Sequence, residues 1–272
     1  MKVGIYFNKK YLTEKSARVD EISKSLKAHG LICKKVNGFD DLDGLDVIFV
    51  LGGDGTILAI ASECAKRKIK ILGINCGHLG FLAETELKNT DEAVSLICNG
   101  NYQTQNRSML EIKVGEKTYY ALNDVVLQRS TSGNRFSNTV DLRAEINGST
   151  VDNFTSDGII VSTPTGSTAY SLAAGGSVMT PDLKAFIMTP ICAHSLNKRS
   201  LVLDGRDKIS LEIGQTKEFC EDLAMLIADG RVVGELHTGD ELVIQVPRGD
   251  TKVVKLPGVG FYERMREKLN GD

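Results

Sequence analysis

Proline is scarce in this chain. Five occur, and none precedes Pro164, so no stiff, proline-marked linker divides the sequence ahead of that residue. A surplus charge of either sign is missing too. Thirty-three Lys and Arg stand against thirty-five Asp and Glu, for a net charge of -2 and a pI near 6.1. That balance supplies neither the footprint of a nucleic-acid binder nor a basic membrane face. No apolar run approaches the ~20 residues of a membrane span. The opening residues 1–7 are too short for a signal-peptide core and read as a strand. Cysteines 33, 64, 76, 98, 192 and 220 form no C-x-x-C and sit beside no His pair. Five of the six lie in apolar surroundings, so buried free thiols in a reducing, cytoplasmic compartment are expected. A G-x-x-x-x-G-K-[ST] loop, an H-E-x-x-H helix and a Ser-His-Asp order are all absent.

What is present is an ordinary globular composition, 42% hydrophobic and 25% charged over 272 residues, which suits two domains. The first hundred residues alternate strand and helix patterns. Apolar strands are expected at 3–7, 31–36, 47–51 and 69–74. A helix over 16–29 carries Val19, Ile22 and Leu26 on one face and stops at Gly30; another covers 91–98 and stops at Asn99-Gly100. This is the pattern of an open, parallel α/β sheet. At its centre Val47–Leu51 runs into Gly52-Gly53-Asp54-Gly55-Thr56, and helical spacing follows through Ala65. A strand, a glycine turn and a helix leave backbone N–H groups and a positive helix end at the sheet's carboxyl edge, where phosphate binds well. Three glycines admit positive φ and a closely approaching ligand. Asp54 is a carboxylate inside this anion-attracting turn, costly there unless it holds a metal or accepts a proton from an attacking hydroxyl, and such a role suits it better than helix capping.

After Gly100 strands follow one another, at 110–114, 119–129, 139–146, 158–162, 200–203, 208–213, 223–228 and 241–246. Asn147-Gly148 and Asp229-Gly230 fit tight hairpins. The second part is therefore expected to be all-β, with a short charged helix over 261–269 packing back on the first domain. Asn123-Asp124 falls mid-strand, where two adjacent polar residues signal a bulge or a solvated face. Thr163-Pro164-Thr165-Gly166-Ser167-Thr168-Ala169-Tyr170-Ser171 is rich in hydroxyls and small. With Ala173-Ala174-Gly175-Gly176 after it, it suits a loop around a ribose or an amide. Asp157, just before the strand that leads there, adds a carboxylate.

GGDGT (52–56), Asn123-Asp124, Asp157-Gly158, the 163–171 run, Gly175-Gly176 and Pro190-Ile191-Cys192-Ala193-His194-Ser195-Leu196 stand in the order seen in NAD kinases, and the chain resembles that family over nearly its whole length. The 163–171 run is the specific part; lipid kinases and phosphofructokinases share the glycine turn. The resemblance implies a Rossmann-like α/β N-terminal domain (1–100), an all-β sandwich C-terminal domain (101–255), an active site between them, and a final segment (256–272) returning to the first domain. It implies transfer of the γ-phosphate of ATP, or of polyphosphate, to the 2′-hydroxyl of the adenosine ribose of NAD, with a divalent metal, magnesium first. It also implies a homo-oligomer, tetramer or dimer, with no nucleic acid or membrane partner.

Carried over by position, Asp54 is the proton acceptor, and Gly52, Gly53 and Thr56 meet the ATP phosphates. Gly55, Phe81, Asn123, Asp124, Asp157, Thr165, Thr168, Ala169, Tyr170, Ser171, Leu172 and Ala173 meet NAD. Five departures stand out. Asp124 replaces the usual Glu, Ala173 a common Ser, Thr155 an Arg, and Ala193 and Ser200 two prolines. His78 and His194 read as core or loop hydrogen-bonders, His29 and His237 as solvated. The rival readings are a lipid or sugar kinase with the same turn and a non-catalytic dinucleotide binder; the near-neutral charge speaks against the former and the presence of Asp54 against the latter.

Overall fold

The computed structural model describes residues 1–7, 12–77, 80–130, 139–194, 199–214, 223–247, 249–258 and 260–270. His78, Cys220, Ser195 and Leu196 lie outside them, as do the side chains of Ser16 and Leu269. The chain divides into two compact units, residues 1–107 with 249–272, and residues 108–248.

In the first unit β1 (Lys2–Phe7), α1 (Leu12–Ala28), β2 (Ile32–Val36), β3 (Val47–Leu51), α2 (Asp54–Lys66), β4 (Lys70–Asn75), β5 (Thr85–Glu86), α3 (Thr90–Cys98) and β6 (Gln103–Arg107) follow in order. The spacing that suggested helices is the buried spacing. Ile57, Ile60, Ala61 and Cys64 are the buried face of α2, and Val19, Ile22 and Leu26 that of α1. Gly30 and Gly100, both at positive φ, end α1 and α3, where no Cβ penalty applies. β2, β1, β3 and β4 lie side by side and parallel. Alternate residues Val3, Ile5, Val47, Phe49, Leu51, Leu72 and Ile74 pack with α1 and α3 in one core, while Ile57 of α2 meets the backbone at Gly73 on the other face. Each buried Leu or Ile side chain removed from water there is worth about 1.5–3 kcal/mol.

The chain then leaves for the second unit and comes back. The returning strand, Thr251–Lys255, inserts beside β4 in parallel and pairs antiparallel with β6, and Phe261–Asn270 forms the last helix. So 103–107 and 251–255, expected in the all-β part, are strands of the first sheet, and the division falls at 107/108 and 248/249.

The second unit holds β7 (Leu110–Val114), β8 (Lys117–Ala121), β9 (Asp124–Arg129), β10 (Val140–Ile146), β11 (Ser149–Ser156), β12 (Gly158–Ser162), the short helix α4 (Tyr170–Ala173), β13 (Ala185–Ile191), β14 (Leu201–Asp204), β15 (Ile209–Ile213), β16 (Leu223–Ala228), β17 (Arg231–His237) and β18 (Glu241–Gln245). The returning strand and last helix of the first unit are thus β19 and α5. Two antiparallel sheets, in the orders β11-β10-β15-β18-β7-β8 and β14-β13-β12-β9-β16-β17, share one core. Leu110, Ile112, Leu142, Leu211 and Ile244 from one meet Leu127, Ile159, Phe186 and Leu226 from the other. Asn147-Gly148 and Asp229-Gly230 close two-residue hairpins at positive φ.

Two expectations are corrected here, and one strand not expected from the sequence is added. Residues 119–129 are not one strand. The chain breaks at Leu122-Asn123 and passes from β8 in one sheet to β9 in the other, so Asn123-Asp124 is a crossing, not a bulge. Strand β13 contains Pro190 in its buried run. Its neighbour β14 pairs only with 185–188, so the missing N–H opposes no acceptor on that side. Of the described cysteines only Cys64 is buried, and Cys192 is exposed. Burial pushes the Cys64 thiol up to about 12. Among the described residues no helix is long and apolar enough to cross a membrane.

Candidate active site

In the first unit a candidate site grows from β3. Its five buried residues end at Gly52, whose N–H donates to Ile74 O of β4 at 2.9 Å, and α2 starts at Asp54 with Gly53 as its N-cap. Contrary to the expectation from sequence, none of the three glycines takes positive φ. Their use is spatial. A Cβ on Gly52 would overlap the Thr56 side chain, whereas nothing of the protein lies within 4 Å of a Cβ built on Gly53 or Gly55. Gly53 is the N-cap, where glycine outranks alanine, but Gly55 lies inside the first turn, where glycine costs up to about 1 kcal/mol relative to alanine, and the protein's own packing gives no reason for it there. An approaching ligand does.

Asp54 is no cap. Its carboxylate turns to the segment after β4, where Phe81 N–H donates to Oδ2 at 2.9 Å and Leu82 N–H to Oδ1 at 3.2 Å. A carboxylate has about four lone-pair directions, so two remain for a substrate hydroxyl. Gly80 leans against this carboxylate, and a Cβ there would overlap it. Gly80→Ala is expected to dislodge Asp54 while the fold stands. Turnover should fall roughly 10²-fold, as small misplacements of reacting groups do, with the melting temperature near that of the parent. Unchanged turnover would show that the carboxylate's placement is immaterial. Phe81 is half-buried, its ring 6.4 Å from that of Phe261.

In the second unit a separate cluster is built where β9 begins and β12 ends. Asp124 stands opposite Ser162 in the ladder. Thr163 N–H donates to Asn123 O at 2.9 Å, and Thr163 Oγ1 donates to Leu122 O at 2.6 Å. A Cβ on Gly166 would overlap Asn123 O, so the 163–168 turn lies directly on the crossing. The Asp229 carboxylate, at the β16–β17 turn, accepts the N–H groups of Leu122 (2.9 Å), Asn123 (2.7 Å) and Asp124 (3.4 Å). Asp124 is only 5% exposed. Loss of water around it, and then the Asp229 charge, push its carboxyl up to about 7. Asp229 is raised as well, chiefly by burial, though its three amide donors oppose the shift. Asn123 Oδ1 is buried with no hydrogen-bond partner, a cost of about 1–3 kcal/mol that a ligand donor would remove.

The hydroxyl-rich run is partly structural. Ser167 Oγ donates to Pro164 O at 2.7 Å and accepts Met179 N–H at 2.9 Å. Ser171, fully buried, pairs with Thr189 at 3.2 Å. Thr165 is buried, and Thr168 Oγ1 donates to Thr165 O at 3.2 Å. Thr168, Ala169, Tyr170, Leu172 and Ala173 are half-buried or exposed, leaving surface for a ligand. Asp157 does not adjoin this loop. It lies at the other end of β12, six residues or about 20 Å from Thr163, and pairs with Arg129 Nε at 3.0 Å. Thr155, in the place of an Arg, bonds Asp141 through its hydroxyl. His29, His194 and His237 are exposed.

Both units match domain models of known proteins. The ATP-NAD kinase N-terminal domain model matches residues 6–102 and the ATP-NAD kinase C-terminal domain model residues 122–256. The NAD kinase of Caldicellulosiruptor saccharolyticus is 36% identical over 271 residues, 99% of each chain. That of Lachnoclostridium phytofermentans is 37% identical over 242 residues, 85% of this chain and 84% of its own. Yeast NADH kinase complexed with NADH superposes with a TM-score of 0.83 at 25% identity, covering all of this chain and 87% of that one. The NAD kinase of Archaeoglobus fulgidus in complex with ATP gives 0.81 at 24%, covering both chains fully, and speaks for the fold alone. An α/β unit and a β-rich unit joined in this order define a two-domain kinase, a phosphotransferase. The chain belongs to the NAD kinase family.

Proposed function

We propose that the chain transfers the terminal phosphoryl group of ATP to the 2′-hydroxyl of the adenosine ribose of NAD, giving NADP and ADP. The observation that carries this reading is the Asp54 carboxylate, held by two amides with lone pairs to spare, at the open glycine start of α2. The ribose oxygen bonds to the γ-phosphorus, the bond from that phosphorus to the β,γ-bridging oxygen breaks, and the hydroxyl proton passes to Asp54. Such transfers run through a loose transition state, so positioning and charge supply most of the acceleration. Gly52, Gly53 and Thr56, with the positive end of α2, take the phosphates. Gly55, Phe81, Asn123, Asp124, Asp157, Thr165 and the 168–173 segment take the dinucleotide, and the orphaned Asn123 Oδ1 supports this assignment.

A divalent cation, magnesium first, belongs to the proposal. Among the described residues no group of three His, Cys, Asp or Glu side chains could hold an ion. The phosphates and water would therefore supply most of its ligands, as is usual for magnesium. Its service when bound is to lower the phosphate charge beside Asp54. A dimer or tetramer in the cytoplasm completes the reading.

The test is product analysis of the purified chain with NAD, ATP and magnesium, with polyphosphate replacing ATP and NADH replacing NAD in parallel arms. NADP formation is expected. Tight NAD binding with no phosphorylated product in any arm would make the chain a dinucleotide binder instead.

A further inference from the structure

Asp54 is held by Phe81 and Leu82, and what holds those two residues comes from the far end of the chain. Arg264 of α5 is 6% exposed. Its Nη1 donates to Ala83 O, and its Nη2 donates to Glu84 O at 3.2 Å and to Glu84 Oε2 at 3.1 Å. The Glu84 side chain is buried; it also accepts Lys255 Nζ, and Leu256 N–H at 3.0 Å. Glu84 N–H in turn donates to Gly73 O of β4 at 2.8 Å. Residues 80–84 are thus fastened at their downstream end by one guanidinium, one ammonium, one amide N–H and one carbonyl, and their upstream amides grip the catalytic candidate.

Burying a guanidinium, an ammonium and a carboxylate together is a poor way to gain stability, since desolvation offsets most of the attraction. The fork of Arg264 does something an apolar side chain cannot. It ties two successive carbonyls and one carboxylate to fixed points, which sets the path of the backbone just beyond Leu82. We propose that Arg264, acting through Glu84, is a positioning residue for Asp54, so that the carboxyl-terminal helix sets the catalytic geometry. The inference rests on the function proposed above.

The experiment compares Arg264→Lys, Arg264→Met and Glu84→Gln with the parent and with Asp54→Asn. Each is assayed for kcat, KM for both substrates, equilibrium NAD affinity and melting temperature. The expected result is a fall in kcat of about 10–100-fold for Arg264→Met and Glu84→Gln, with KM and NAD affinity within about twofold. Arg264→Lys, which keeps the charge but not the fork, should recover only part of the loss. In the Asp54→Asn background the Arg264 substitution should cost nothing further, because the group it positions is gone. A merely structural residue would lower melting temperature and NAD affinity and would act equally in both backgrounds. Undiminished kcat in Glu84→Gln or Arg264→Met, or additive losses with Asp54→Asn, overturns the proposal. Should Arg264→Met fail to fold, Glu84→Gln and Arg264→Lys decide it on the same readings. Near-parent turnover of Asp54→Asn itself would sink the Asp54 assignment, a separate outcome.

Discussion

Asp54→Asn is expected to lower kcat by about 10²–10⁴-fold, the usual contribution of a positioned base, while NAD still binds. Asn matches Asp in size but cannot take the hydroxyl proton. The structure adds a second consequence. Both carboxylate oxygens accept amides, from Phe81 and Leu82, so the Asn NH₂ must face one of two N–H donors. The 80–82 segment should therefore loosen slightly, which a small fall in melting temperature would report. Steady-state kinetics and equilibrium NAD titration on the same preparation separate the two effects. Turnover close to the parent would remove Asp54 from the mechanism.

The second large effect is on stability. Folding raises the Asp124 carboxyl from 3.8 to about 7, because burial strips water from the charged form and Asp229 adds negative charge. The folded chain then binds this proton more tightly than the unfolded chain. The stability it contributes is fully present below pH 3.8 and is lost as pH rises through about 7. At 1.36 kcal/mol per unit, the loss by pH 8 is on the order of 4 kcal/mol. Asp124→Asn, which has no charge to desolvate, should gain on the parent by about that amount between pH 4 and pH 8 in urea titrations. A constant difference between the two proteins across that range would show that Asp124 is ionised throughout.

Much of the first unit could be read from residues alone. Val47–Leu51 is uniformly apolar, the glycine turn follows it, and Ile57, Ile60, Ala61 and Cys64 fall on one helical face, so strand, turn and helix emerged together. The last two strands of that sheet, β19 and the edge strand β6, could not be read. Gln103–Arg107 is almost wholly polar, and Thr251–Lys255 is five residues long; neither carries a periodic signal, and only long-range pairing makes them strands. Ser149–Ser156 was missed for the same reason, as its mostly exposed residues alternate weakly. In the site, Asp54 and Asn123-Asp124 stood out by type and spacing. Asp229 had been noticed only as half of an Asp-Gly turn, because nothing local reveals that its carboxylate meets amides 106 positions earlier. Arg264 gave no signal at all, since an arginine in a charged terminal helix looks solvated until its partners at 83 and 84 are known.

Strands β6 and β19 are antiparallel neighbours, with Arg107 opposite Thr251, and the whole of 108–248 is spliced between them. Topologically the β-rich unit is an oversized hairpin loop. Because closure entropy grows only with the logarithm of loop length, such an insertion burdens the host sheet little once the guest has folded by itself. Timing is another matter. During synthesis the strand that fills the gap between β4 and β6 leaves the ribosome only after the guest has been made, so the host sheet stays incomplete while its insert already has every strand it needs.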